Sequence, residues 1–295
     1  MTPMKTPSAS LRRKLDRLYD ELSREEFLVK DPLGAIDRSL PCEDLELLSF
    51  LIAGLSYGRV ESIYGSFSSL LKRLSLIGIR DNGGGLACWL DETSPRQQKI
   101  LLDRVLSGWV HRLNTARDLR DVLILLGNVR REHTSLAQVF VEASRGLGPE
   151  NSKAVLVDFC QRLDALGPAR KMKPSRRSPV WAGTGASWFY ASPSQGSTCK
   201  RLLMWLRWMA RKDSIDLGLW QDRFPQHRLQ EYLFWPVDTH IHKWALQEGI
   251  TSRRSANWAL VEELTEWGRL LCPEDPIRYD FVICQSGMRL FRTRA

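Results

Sequence analysis

The sequence predicts an all-α protein, and three observations carry that reading. Apolar residues recur at three- and four-residue spacing through most of the chain, and no stretch alternates convincingly as a strand does. Apolar residues make up 43% of 295, enough to give such helices cores to bury.

The elements follow in order. MTPMKTPSAS, residues 1–10, has no apolar stretch and reads as a disordered tail, not a secretory signal. SLRRKLDRLYDELSREEFL sets Leu11, Leu15, Leu18 and Leu22 on one helical face with charges opposite. DLELLSFLIAGL is apolar on most sides and reads as a buried helix. In GRVESIYGSFSSLLKRL, Val60, Ile63, Phe67, Leu70, Leu71 and Leu74 form one stripe. IRDNGGGL is a glycine-rich loop. Ser94 and Pro95 supply a cap and a first-turn proline for PRQQKILLDRVLSGWVHRL, a helix expected over 95–113. ARDLRDVLILLGNVRREH, SLAQVFVEASRGLG and NSKAVLVDFCQRLDALG predict three more. Residues 11–168 thus form an N-terminal helical region.

The composition changes at ARKMKPSRRSP, residues 169–179, where five of eleven residues are Lys or Arg and none is acidic. It reads either as a solvated linker or as a basic loop along a phosphate backbone, with Arg176 and Arg177 as contacts. Residues 169–190 form a basic and aromatic loop. Residues 191–295 form a second helical region, opened by KRLLMWLRWMARKD. There Leu202, Trp205, Leu206 and Met209 make the apolar side, and Arg201, Arg207, Arg211 and Lys212 place positive charge elsewhere. NWALVEELTEWGRLL and YDFVICQSGMRL close the chain as helices.

No apolar run approaches the ~20 residues that span a bilayer. Six cysteines without a CxxC pair argue against a zinc ribbon or a four-cysteine iron–sulfur cluster. They are expected as reduced thiols, in a cytoplasmic protein. A net charge of +9 points to a polyanionic partner.

WPVDTHIHKWA, residues 235–245, admits two readings. On a strand, His240 and His242 would share one face as a metal pair does, but only 53 residues follow and they contain no histidine. On a helix, Asp238 caps and THIHKWALQEGI runs about three turns to Gly249. The helical reading is preferred. Upstream, SPSQGSTCK makes a tight turn at Pro193 and Gly196, after which backbone amides can face an anion. Lys200, in the first turn of the next helix, is either an amine nucleophile or a phosphate contact.

A hairpin turn, a helix beginning with lysine and a V-D-T-H segment opening another helix resemble the helix-hairpin-helix DNA glycosylases. GSTCKRLLMWLRWMARKDSIDLGLW, WPVDTHIHKWALQEGITSR and CPEDPIRYDFVICQSGM resemble blocks of a bacterial family, DUF2400. So do LYDELSREEFLVKDPL and LSFLIAGLSYGRVESI, and the likeness covers most of residues 15–290. The glycosylase resemblance implies two helical subdomains with an active site in the cleft between them. It implies Asp238 as the carboxylate of base excision and Lys200 as the counterpart of a Schiff-base lysine. Tyr57, Gly58 and Arg59 would fill the gap left by a flipped base, and Gly196, Ser197, Thr198 and Arg201 would hold the backbone. Trp181, Trp188, Trp205, Trp208, Trp220 and His240 are candidates for a base pocket. No metal and no iron–sulfur cofactor is implied, although a structural monovalent cation at the hairpin is compatible. The expected partner is duplex DNA with a damaged or modified base, bound by a monomer. The alternative is a DNA-binding protein that keeps the scaffold without the chemistry.

Overall fold

The computed structural model describes residues 6–168, 187, 189–223 and 228–292. Among them are twelve α-helices: α1 (Ala9–Leu22), α2 (Cys42–Gly54), α3 (Val60–Leu74), α4 (Leu86–Glu92), α5 (Pro95–Val105), α6 (Ala116–His133), α7 (Leu136–Ala143), α8 (Ser152–Leu166), α9 (Lys200–Ala210), α10 (Thr239–Gln247), α11 (Trp258–Leu271) and α12 (Asp280–Arg292). The protein is mostly helical, as its periodicity predicts. No described helix is long and apolar enough to cross a membrane.

The chain divides into two compact units that are not consecutive in sequence. Of the described residues, those within 29–145 and 154–191 form a middle unit, and those within 1–28, 146–153 and 192–295 form a terminal unit. The consecutive division expected from composition is therefore corrected at α1. That helix starts at Ala9, within the expected tail, where the Ser8 side chain accepts from the Leu11 amide. Its buried Leu11, Leu15 and Leu22 face the terminal unit, where α1 packs on α12. Tyr279 donates to Asp16 at 2.6 Å, and the Arg278 guanidinium lies 4.6 Å from the Tyr19 ring centroid. An amphipathic helix joins whichever core its stripe fits, and chain proximity does not choose it.

In the middle unit, α2 is buried along nearly its whole length, as its apolar run predicts. Two carboxylates on it face helix N-termini. Asp44 accepts from the Gly85 and Ala87 amides at the start of α4, both at 2.8 Å. Glu46 accepts from Leu136 and Ala137 at the start of α7, both at 3.0 Å. Each buried charge thus satisfies donors that a helix start leaves open, at the positive end of a macrodipole. α4 itself has no counterpart in the sequence reading.

One expected helix is corrected. α5 stops at Val105, and the rest of the segment expected as helix over 95–113 enters a hairpin of β1 (Val110–His111) and β2 (Asn114–Thr115). Val110 pairs with Thr115 and His111 with Asn114, around a turn in which Arg112 has φ +52°. Strands of two residues carry no readable alternation. What holds this turn comes from far away in sequence: Tyr57 donates to Asn114 Oδ1 at 2.6 Å, and its hydroxyl accepts from the Leu113 amide at 3.3 Å.

The terminal unit is organised around buried charge. Arg207 and Arg211, expected to add positive charge to a helix surface, are only 3% and 4% exposed. Arg207 meets Asp280 at 2.8 Å and Asp216 at 3.2 Å. Arg211 meets Asp213 at 3.0 Å and Asp216 at 3.3 Å. These pairs fasten α9 to the 213–216 turn and to the first residue of α12. Burial, reinforced by the neighbouring Asp213 and Asp280 carboxylates, pushes Asp216 up to about 7 against the pull of both arginines. Helical periodicity could not reveal this, because an arginine opposite an apolar stripe looks the same whether water or aspartate receives it.

Candidate functional site

The helical reading of WPVDTHIHKWA is the observed one. Residues 232–237 are buried and lead into Asp238, which is extended at φ −113° and ψ −174° and caps α10. Asp238 Oδ1 accepts from the His240 and Ile241 amides, both at 2.9 Å. Asp238 is half-buried between the buried Val237 and the exposed Thr239, so the carboxylate sits at a helix mouth with part of its surface open. His242 Nε2 lies 2.7 Å from the Arg253 carbonyl oxygen, tying α10 to the loop that follows it.

The approach to Asp238 is fixed by tryptophans. Trp235 stacks on Trp244 at 6.1 Å between centroids, and Trp267 meets both edge-on. The Trp235 indole donates to the Pro276 carbonyl at 2.7 Å, and its amide donates to Thr265 Oγ1 at 3.1 Å. α11 passes this point at Gly268, where a Cβ would come within 2.0 Å of the Pro276 oxygen and 2.6 Å of the Trp235 indole nitrogen. A side chain there would displace the segment that delivers Asp238.

The second oxygen of Asp238 has a partner that the sequence reading missed. Cys284, on α12, donates its thiol hydrogen to Oδ2 with sulfur and oxygen 3.4 Å apart. The residue lies within the quoted CPEDPIRYDFVICQSGM block, but nothing in the spacing pairs it with Asp238. α10 and α12 pack against each other, and that packing makes the contact.

The tight turn expected at Pro193 and Gly196 is observed before α9. Ser192 accepts from the Ser194 amide, Gly196 turns in the left-handed region at φ +73°, and its carbonyl accepts from the Trp258 amide at 3.1 Å. Cys199 caps α9 at φ +50°; its buried thiol is pushed up to about 12 by burial. Gly196 is exposed, while Ser197, Thr198, Lys200 and Arg201 are half-buried. Ser197 Oγ accepts from the Cys199 amide at 3.1 Å. Lys200 is the first residue of α9, and it makes no ion pair among the described residues. The terminal unit thus holds both Asp238 and Lys200, each at a helix N-terminus.

Three of the expected stacking rings are corrected. Trp205 and Trp208 are 0% exposed and Trp220 is 1% exposed, and Trp205 and Trp220 meet edge-on at 5.0 Å. They pack the core and present no open face to a base. His240 remains half-buried in the first turn of α10. Arg176, Arg177, Trp181 and Trp188 lie outside the described residues.

Tyr57, Gly58 and Arg59 belong to the middle unit. Tyr57 is no free wedge. Its ring meets His111 edge-on at 4.9 Å, and its hydroxyl holds the β1–β2 turn. Burial lowers the pKa of His111 and favours the neutral ring. Gly58, at φ +98°, lies under the Arg112 guanidinium, and Arg59 is exposed at the start of α3. The hairpin turn beyond them displays Leu113, 72% exposed, beside the exposed Arg112.

A cavity of about 510 Å³ in the terminal unit contains neither candidate. Pro149, Glu150, Lys153, Phe234, Glu262, Glu266 and Arg269 line it. Three carboxylates and two cations line it, with Lys153 meeting Glu262 at 2.9 Å.

Comparison with known proteins returns no match among curated proteins and none among solved structures. A family described as a protein of unknown function, DUF2400, matches residues 31–289, a span that includes α2 through most of α12 and both candidate residues. The chain is therefore a member of the DUF2400 family.

Proposed function

We propose that the protein is a DNA glycosylase that excises a damaged or chemically modified base and leaves an abasic site. The observation that supports this reading best is Asp238, a part-exposed carboxylate held by two amides at the mouth of α10. Cleaving an N-glycosidic bond develops positive charge on the sugar, and a fixed carboxylate stabilises that charge. The base must first leave the duplex, at a cost of a few kcal/mol. Water then attacks C1′, the bond to the base nitrogen breaks, and the base departs protonated. In the variant route the Lys200 amine is the nucleophile and a Schiff base follows. The excess of 43 Lys and Arg over 34 Asp and Glu suits a polyanionic duplex. In this reading the scaffold is of the helix-hairpin-helix glycosylase type, and the protein acts as a cytoplasmic monomer without a metal or iron–sulfur group. Its role is DNA repair or defence against phage with modified DNA.

The second reading is a DNA-binding protein without the chemistry. One observation favours it: Trp205, Trp208 and Trp220, which would have stacked a flipped base, are core residues.

The test incubates purified protein with normal, oxidised and hypermodified duplexes and assays abasic sites and borohydride-trapped adducts. Release from at least one substrate, absent for normal DNA, upholds the glycosylase. DNA binding without release from any of them upholds the binder. Trapping lost in Lys200→Gln assigns the amine to Lys200, and release without trapping assigns water.

A further inference from the structure

Asp238 is served differently from the aspartates of the buried ion cluster. Asp216 and Asp280 receive guanidinium groups, as does Asp213. Asp238 makes no ion pair among the described residues; it receives two amides on Oδ1 and a thiol on Oδ2. With both amides on one oxygen, the torsion about the bond to the carboxylate remains soft, as terminal torsions of Asp are. A third hydrogen bond, from the other side, fixes the plane. Supplied by arginine or lysine, it would cancel the charge that a cationic sugar needs. A thiol is a weak, uncharged donor, so it orients the carboxylate and leaves the negative charge intact.

We propose that Cys284 is a positioning residue for Asp238, holding the carboxylate plane from α12. The inference rests on the reading of Asp238 as the carboxylate of base excision. The register of α12 that brings Cys284 to this place has its own anchor. Asp280, one helical turn earlier and on the same face, is gripped by Arg207 at 2.8 Å. The buried ion cluster therefore sets α12, α12 presents Cys284, and Cys284 sets Asp238.

The test uses the full chain and two readouts. The first is alkylation of Cys284 by iodoacetamide under native conditions, mapped by mass spectrometry, with the exposed Cys42 and Cys88 as internal references. A carboxylate that accepts the thiol hydrogen and opposes the thiolate slows alkylation, so Asp238→Asn is expected to speed it about fivefold or more, with Cys42 and Cys88 unchanged. Equal rates in both proteins overturn the contact, whether or not the protein releases any base.

The second readout is single-turnover base release on whichever oxidised or hypermodified duplex the wild type cleaves. Cys284→Ala is expected to lower the rate about tenfold with DNA affinity unchanged, as for one lost orienting hydrogen bond. Cys284→Ser, whose hydroxyl also donates, is expected to stay within about threefold of the wild type. Equal losses in both variants, or a weaker affinity in place of a slower rate, overturn the positioning role. If the wild type releases no base from any duplex, the glycosylase reading falls by itself and the alkylation rates decide the contact.

Discussion

Replacing Asp238 by asparagine and by alanine separates its observed part as a helix cap from the chemical part proposed for it. As a cap, Oδ1 accepts from two amides at 2.9 Å. Asparagine caps about as well as aspartate, whereas alanine costs about 0.5–2 kcal/mol. The lost charge at the helix mouth adds roughly 0.3–1 kcal/mol in both variants. At roughly 2–4 °C per kcal/mol, Asp238→Asn should melt within about 4 °C of the wild type, and Asp238→Ala several degrees lower. As a chemical group, a carboxylate about 4 Å from a developing positive charge contributes about 4 kcal/mol at an effective dielectric constant near 20. That corresponds to about a thousandfold in rate, and both variants should lose it. The assays are thermal melting followed by circular dichroism and single-turnover base release. Activity should therefore vanish in the asparagine variant while its fold persists. Base release by Asp238→Asn within tenfold of the wild type would falsify the chemical role and leave Asp238 a helix cap.

Other outcomes follow from the buried charge and the hairpin. Asp216 is raised by burial to about 7 in the folded state, above its unfolded value near 3.8, so its contribution to stability is full below pH 4 and lost as pH rises through about 7. The difference in urea-unfolding free energy between the wild type and Asp216→Asn should fall across that window, by at most about 1.4 kcal/mol per pH unit, and parallel curves would refute the assignment. Arg207→Met leaves the buried Asp280 and Asp216 with Arg211 as their remaining cation, at 3.5 and 3.3 Å, and should cost about 3–5 kcal/mol in chemical denaturation. A loss below about 1 kcal/mol would mean that the carboxylates take up protons or water instead. Tyr57→Phe removes the hydroxyl that serves Asn114, which is 1% exposed, and should cost about 1–3 kcal/mol. Amide exchange at Leu113, whose donor loses its acceptor in that variant, should accelerate selectively.

Local sequence rules worked where the deciding interactions are local. α6 occupies Ala116–His133, the segment its periodicity marks, and Thr115 with Asp118 closes a capping box at its start. Asp238 was readable for the same reason: a cap, its helix and the terminating Gly249 lie within twelve residues. The hairpin at 110–115 was not readable, because its turn is held by Tyr57 more than fifty residues earlier. The tryptophans were ambiguous for a related reason. Composition places eleven in the chain but does not say which face a core and which face solvent.

The sequence by itself determined the helical class, most helix positions and the capping aspartate, since each depends on hydrogen bonds and side-chain spacing within a few turns. Tertiary structure alone decided that α1 packs with the C-terminal helices, that Arg207 and Arg211 are buried among aspartates, and that Cys284 meets the free oxygen of Asp238. Those contacts join residues 46 to more than 250 positions apart or depend on burial, and a periodic pattern records that a face is covered without recording by what.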